Sequence, residues 1–263
     1  MTPMMEQYFE IKNQYKDFLL FYRLGDFYEM FFDDAIVASR VLELTLTGRD
    51  CGEAERAPMC GVPFHSAETY IATLIEKGYK VAICEQRENP ATAKGLVKRE
   101  VIRIITPGTV TEASMLPETR NNYLASVFID EGGAGVCFAD ISTAQIFATS
   151  FETTQYLPQL IGELGTYAPR EVLINLPHKL CPELVDFVKN RLNAVISDGD
   201  ASKYEYKSAA EAVRAQFSAT LRDGDLDKRR LICALGALLA YIADTQKTDI
   251  TYIKELNIYE NGQ

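Results

Sequence analysis

Between residues 2 and 246, helix-starting signals and short extended apolar runs alternate, and one polar stretch, 106-TPGTVTEASMLPETRNN-122, breaks the series. Alternation of this kind selects an α/β architecture. The break marks a seam, because the pattern differs on its two sides. Before it, Thr2 stands ahead of a proline suited to a first helical position. Residues 18–24 and 26–31 read as extended runs separated by Gly25, and Asp33 and Asp34 are placed to cap a helix over AIVASRVLE. LTLT (44–47) alternates as a strand that Gly48 ends, and Ser66 is placed to cap a helix, AETYIATLIEKG, closed by Gly78. YKVAICEQ (79–86) and VIRIIT (101–106) read as buried strands. After the seam, NYLASVFID, AGVCFADIS and AQIFATSF read as three strands joined by hairpin-type turns. A helix (154–165), a strand (170–176), a helix near 182–192, the strand and turn AVISDGD, and helices near 208–218 and 228–246 follow. Two α/β domains joined near 107–121 are expected, with 247–263 opening a further region, so that the chain reads as a fragment.

Composition narrows the class. With 47% hydrophobic and 24% charged residues the chain is globular in type. No apolar run approaches membrane-spanning length, and MTPMMEQYFEIK has neither the basic start nor the apolar core of a secretion signal. The six cysteines are scattered without C-x-x-C spacing or a neighbouring histidine, which favours buried free thiols over a zinc site or a disulfide framework. A net charge of −10 argues against nucleic acid on average. Locally the balance reverses: residues 77–103 hold seven Lys/Arg against three Glu, densest in 94-KGLVKREVIR-103. That stretch is either a solvated strand face or a phosphate-contacting patch.

The segment 25-GDFYEMFFDD-34 holds four aromatics and four acids. As a strand it alternates: Phe27 and Glu29 share one face, Tyr28 and Met30 the other. An aromatic beside an acid is an odd core pair. Read alone, it is a domain edge with a solvated carboxylate. Asp33 and Asp34 need only a helix start.

Several chemistries find no motif. There is no G-x-x-x-x-G-K-[ST], no G-x-G-x-x-G after a strand and no G-x-S-x-G. His65 and His178 form no metal pair, and His65 reads as a turn residue. Asp140 ends a strand in a three-strands-then-helix pattern, the place of a carboxylate in ribonuclease H-like two-metal nucleases. Neither EGG (131–133) nor Glu163 supplies an evident partner, so a turn or capping role competes with the nuclease reading.

The segments TPMMEQY (2–8), LLFYRLGDFYEMFFDDA (19–35), LTLTGRD (44–50), APMCGVPFH (57–65), VAICEQ (81–86), KREVIRIITPGT (98–109) and FADISTAQ (138–145) together resemble the MutS family of DNA mismatch-recognition proteins, in order and over nearly the whole chain. The resemblance implies a mixed-sheet mismatch-recognition domain over 1–118, a ribonuclease H-like connector domain without nuclease activity over 119–246, and the start of a core or lever region over 247–263. It implies that Phe27 and Glu29 are the F-x-E pair: Phe27 enters the minor groove and stacks on a mispaired base, and Glu29 meets a base edge. Leu24, where the family often has methionine, and Asp26 match positions near the DNA. Arg49, Lys98 and Arg99 are candidate backbone contacts. The implied partners are mismatched duplex DNA, a MutL-type protein through the connector, and a second copy in a full-length homodimer, with no membrane. ATP and Mg belong to the full-length family, whose ATPase domain is not among these residues, so no cofactor and no catalytic activity is expected here. The implied location is the bacterial cytoplasm, at the nucleoid when acting. A metal-dependent nuclease around Asp140 and an inert scaffold for the MutL-type partner are the competing readings.

Overall fold

A computed structural model describes residues 1–116, 118–198 and 200–261. Pro117 in the predicted seam, Gly199 in the predicted turn after AVISD, and the last two residues of the tail lie outside them. The chain forms two compact units, Met1–Thr106 and Pro107–Gln263. The α/β class and the two-domain arrangement expected from the sequence are both present.

In the first unit the elements run α1 (Pro3–Gln14), β1 (Leu19–Leu24), β2 (Phe27–Phe31), α2 (Phe32–Leu42), β3 (Thr47–Arg49), β4 (Ala57–Pro63), α3 (Ala67–Glu76), β5 (Val81–Gln86) and β6 (Arg99–Ile105). The sheet order is β3-β4-β2-β1-β5-β6, antiparallel throughout except for the parallel β1–β5 pair. Thr2 caps α1, its hydroxyl accepting from the Met5 N–H at 3.4 Å, with Pro3 in the first turn. Tyr8 of α1 sets its ring edge against Tyr22 and Phe31, centroids 5.5 and 5.1 Å away, and with Met5, Leu20 and Cys84 closes one part of the sheet.

Three local expectations are corrected here. Asp34 does not cap α2. The helix begins at Phe32 without a loop, no side chain caps it, and Asp34 points inward. There Asp34 accepts from the Leu20 N–H at 3.0 Å and pairs with Lys12 at 3.0 Å, tying α1, β1 and α2 together. The strand expected at 44–47 lies at Thr47–Arg49, so Gly48 sits inside it opposite Pro58. Ser66 precedes α3 with no side-chain cap, because Phe64–Ser66 is already a short 3-10 turn.

The second unit continues with β7 (Tyr123–Asp130), β8 (Gly133–Asp140), β9 (Gln145–Phe151), α4 (Leu157–Tyr167), β10 (Glu171–Ile174), α5 (Pro182–Asp186), β11 (Val195–Asp198), α6 (Tyr206–Phe217), α7 (Arg229–Gln246) and β12 (Glu255–Ile258). The helix expected near 182–192 ends as α5, and one π-helical stretch, Phe187–Arg191, follows it. The sheet order is β11-β10-β7-β8-β9-β12: a three-strand antiparallel meander flanked by strands that pair in parallel. Both faces are covered. Leu124, Cys137 and Ile146 pack under α6 and α7, while Ala125, Phe138 and Val136 pack with Leu160, Leu164 and Leu184 of α4 and α5. Buried Glu171 accepts from the Gly108 N–H at 2.9 Å and from the Ser197 and Tyr241 hydroxyls at 2.5 Å each, fastening the start of the predicted seam to this sheet. The sequence reading ended this unit at 246. The structure adds β12, which pairs in parallel with β9 and extends the sheet by one strand.

Candidate nucleic-acid interface

β1 and β2 form a two-residue hairpin, with Leu24 opposite Phe27 and only Gly25 and Asp26 between them. Gly25 has φ +59, which glycine adopts without the penalty a Cβ brings, and a glycine at the first of two turn positions matches the right-handed twist of the flanking strands. The short turn fixes the register, and the register fixes the faces. Tyr28 and Met30 are buried, while Phe27 keeps 46% of its surface exposed and Glu29 is half-buried beside it. A large apolar ring held at a strand start, half in solvent, contributes little to the core.

Glu29 faces its own counter-ion. Arg49, on β3, donates to its carboxylate at 2.7 Å. Across the ladder Glu29 lies opposite Gly61 of β4. A Cβ there would stand 3.3 Å from the Tyr28 carbonyl oxygen and 3.4 Å from Glu29 Cγ, so the glycine keeps the space beside Glu29 and Phe27 open. Burial raises the Glu29 pKa above the ordinary glutamate range; Arg49, and more weakly Arg99, pull it down without cancelling the shift.

The other candidate contacts separate. Leu24 is half-buried against the α1 side of the core, whereas Asp26 is exposed at the turn. Lys98 is exposed. Arg99 is not available to a phosphate: it is only 8% exposed. Its guanidinium donates to the carbonyl oxygens of Arg23 and Val97 and to Gln7 Oε1 at 2.8, 3.0 and 2.9 Å, and lies 4.9 Å over the Tyr22 ring. The basic stretch is therefore split, with Arg99 turned into the unit as a strut while Lys98 and Lys94 face solvent.

Family models decide what this geometry belongs to. The model described as MutS domain I matches residues 2–114, and that described as MutS domain II matches residues 122–254. The chain belongs to the MutS family. The DNA mismatch repair protein MutS of Ruminiclostridium cellulolyticum is 49% identical over 259 residues, 98% of this chain and 29% of that protein. That of Acetivibrio thermocellus is 49% identical over 262 residues, 98% of this chain and 30% of that protein. That of Caldanaerobacter subterraneus is 44% identical over 263 residues, 99% of this chain and 30% of that protein. The chain thus spans about three-tenths of the length of the curated relatives it matches.

Phe27, Glu29 and Arg49 fall within the MutS domain I match, and Asp140 within the MutS domain II match. Asp140 is buried, and its carboxylate accepts from the Ser142 N–H at 3.0 Å, the Ser142 hydroxyl at 2.6 Å and the Thr143 N–H at 3.4 Å, a turn-closing role. Among the described residues no three His, Cys, Asp or Glu side chains are grouped to hold a metal ion, and no helix is long and apolar enough to cross a membrane. His65 sits in the 3-10 turn before α3, its ring edge-on to Phe64. Cys51, Cys60, Cys84, Cys137 and Cys233 are buried free thiols and Cys181 is half-buried.

The sequence reading passed over Arg23, Phe64 and Glu85, which lie behind the hairpin. Arg23 belongs to the same FYRLGDFYE block as Phe27. Alternation across the turn would have placed it on the face opposite Phe27, but its partners come from β5 and the residue after β4, distant in sequence.

Proposed function

We propose that the first unit recognises mismatched or unpaired bases in duplex DNA by inserting Phe27 into the minor groove. The observation that carries this is Phe27 itself: an aromatic ring half in solvent, fixed by a two-residue turn, beside a carboxyl group whose pKa burial raises. An apolar wedge unstacks a base step at roughly a few kcal/mol, and stacking on an aromatic ring returns about 1–3 kcal/mol per base. The two nearly balance, so the wedge favours steps whose pairing is already weak and which bend easily. Base identity need not be read.

Glu29 supplies the second discrimination. Protonated, it donates to an acceptor on a disturbed base; ionised, it repels an intact duplex. Phosphates raise its pKa further and compete for Arg49, both favouring the neutral form at a bound mismatch. Arg49 and exposed Lys98 supply backbone contacts, with Leu24 beside the turn and Asp26 in it; Arg99 acts from inside.

The reading takes 1–118 as the mismatch-recognition domain, 119–246 as the connector that meets a MutL-type protein, and 247–263 as leading into the region that follows. These residues carry no phosphate-binding-loop motif, and this reading assigns ATP and Mg dependence and homodimer formation to the full-length protein, acting in the bacterial cytoplasm at the nucleoid. No catalytic step is assigned to this part. The test is Phe27→Ala in the full-length protein, with binding to mismatched and matched duplexes compared at fixed salt. The expected result is loss of mismatch preference with folding intact; a retained preference overturns the wedge.

A further inference from the structure

On the face of β1 and β2 opposite Phe27, one arginine holds the turn that carries it. Arg23 Nε donates to the Gly25 carbonyl oxygen at 2.5 Å, and Nη1 reaches the two Glu85 carboxylate oxygens at 3.4 and 3.3 Å. The guanidinium lies 3.6 Å over the Phe64 ring, and the Tyr28 hydroxyl donates to the same Glu85. The other turn carbonyl, that of Asp26, accepts from the Phe64 N–H at 2.9 Å. Both carbonyls of the Gly25–Asp26 turn are therefore tied to the Arg23–Phe64 pair. The Arg23 carbonyl oxygen is in turn held by Arg99 at 2.8 Å. Phe64 is 40% exposed, with the His65 ring edge-on to it.

From this we infer that Arg23 is a positioning residue for mismatch recognition: braced against Phe64 and Glu85, it locks the two-residue turn so that Phe27 meets the duplex as a fixed wedge. The inference rests on the wedge reading. Inserting a ring between stacked bases pushes back on the turn, and a turn free to rock lets the ring lie along the groove instead. Then mismatched and intact duplex are bound alike. A planar fork is required, because one edge donates to Gly25, another to Glu85, and the face covers Phe64. A lysine ammonium supplies charge without the plane or the fork.

The experiment compares Arg23→Gln, Arg23→Lys, Phe64→Leu and the Arg23→Gln/Phe64→Leu double variant of the full-length protein on mismatched and matched duplexes across a salt series. The expected result is a fall in the mismatched-to-matched affinity ratio of about ten-fold, or about 1.4 kcal/mol, for Arg23→Gln. Arg23→Lys and Phe64→Leu fall with it, the double variant is no worse than either single change, and matched-duplex affinity and the salt slope stay as in the parent. Equal weakening on both duplexes, rescue by lysine and a salt slope reduced by about 1 identify Arg23 as a phosphate contact and overturn the inference. An unchanged ratio also overturns it, and the ratio is insensitive to the fraction of protein that folds. If Phe27→Ala loses the preference while Arg23→Gln keeps it, this inference alone fails; if Phe27→Ala keeps it, the wedge reading fails first.

Discussion

β8 of the second unit is buried at all eight of its positions, from Gly133 to Asp140, whereas β2 of the first is buried at three of five and opens on Phe27. Both are interior strands of six-stranded sheets. They differ in what covers them. Helices lie over both faces of the second sheet, so each β8 side chain answers to packing. In the first, the α1 cover closes over Tyr22 and Phe31 but leaves Phe27 exposed at the hairpin end, with Glu29 half-buried beside it. Side chains are released from the core only where cover stops, and there an aromatic ring and an acid can serve another purpose.

The largest expected effect separates the two strands directly. Phe138 of β8 is fully buried and stacked on Tyr167 at 4.0 Å; Phe138→Ala should destabilise the second unit by about 3–5 kcal/mol in denaturant unfolding. Phe27→Ala should leave stability within about 0.5 kcal/mol while removing mismatch preference. A large stability loss at Phe27 would break the comparison, since it would make that ring core as well. Next, Glu29→Gln should tighten binding to matched duplex by about ten-fold and narrow discrimination, read by titration at fixed salt; an unchanged ratio removes Glu29 from the discrimination. A smaller effect is expected at Gly61. Gly61→Ala brings a methyl group against Glu29 Cγ and the Tyr28 carbonyl oxygen, and should lower discrimination with under about 1 kcal/mol lost in stability.

The smallest effect contrasts the acids of the two units. Burial raises the pKa of Glu29 and Asp34 in the first unit. In the second, Asp130 is lowered: burial opposes this, but donation from Arg230 and Gly132 outweighs it. Asp200 is lowered by Ser202, and Glu205 by the Ser208 and Lys207 N–H groups. A raised carboxylate binds its proton more tightly folded than unfolded. Its stabilisation is complete below the ordinary carboxylate pKa and is lost as pH rises through the raised value. The lowered acids stabilise above the ordinary range, and that contribution is lost as pH falls through their depressed values. Hydrogen exchange followed through mild acid should therefore show protection rising in the first unit, then falling in the second on further acidification. Parallel behaviour of the two would erase the distinction.

The two extended runs and their faces were legible because the determinants are local: Gly25 separates them, and strict alternation then sorts Phe27 from Tyr28. The meander of the second sheet was legible for the same reason. What escaped is long-range. Asp34 looks like a cap until Lys12, 22 positions earlier, is seen to hold it. Arg99 looks like a DNA contact until Gln7, 92 positions away, accepts from it. Arg23 stood in plain view within its motif, but its meaning depends on Phe64 and Glu85. Charged side chains are the hardest to place from sequence, because solvent, a partner or a phosphate satisfies each equally well and only the fold selects among them.

The pairing of β12 with β9 has a consequence for synthesis. Gln145 of β9 meets Glu255 of β12 across 110 positions of chain. On a ribosome adding about 5–20 residues per second, roughly 5–20 s pass between the emergence of these two strands. Through that interval the β9 edge is exposed, and an open edge invites pairing with another chain. The nascent protein thus depends on β12 to seal a sheet begun more than a hundred residues earlier, and a pause before residue 255 prolongs the period in which neighbouring chains on a polysome can take that place.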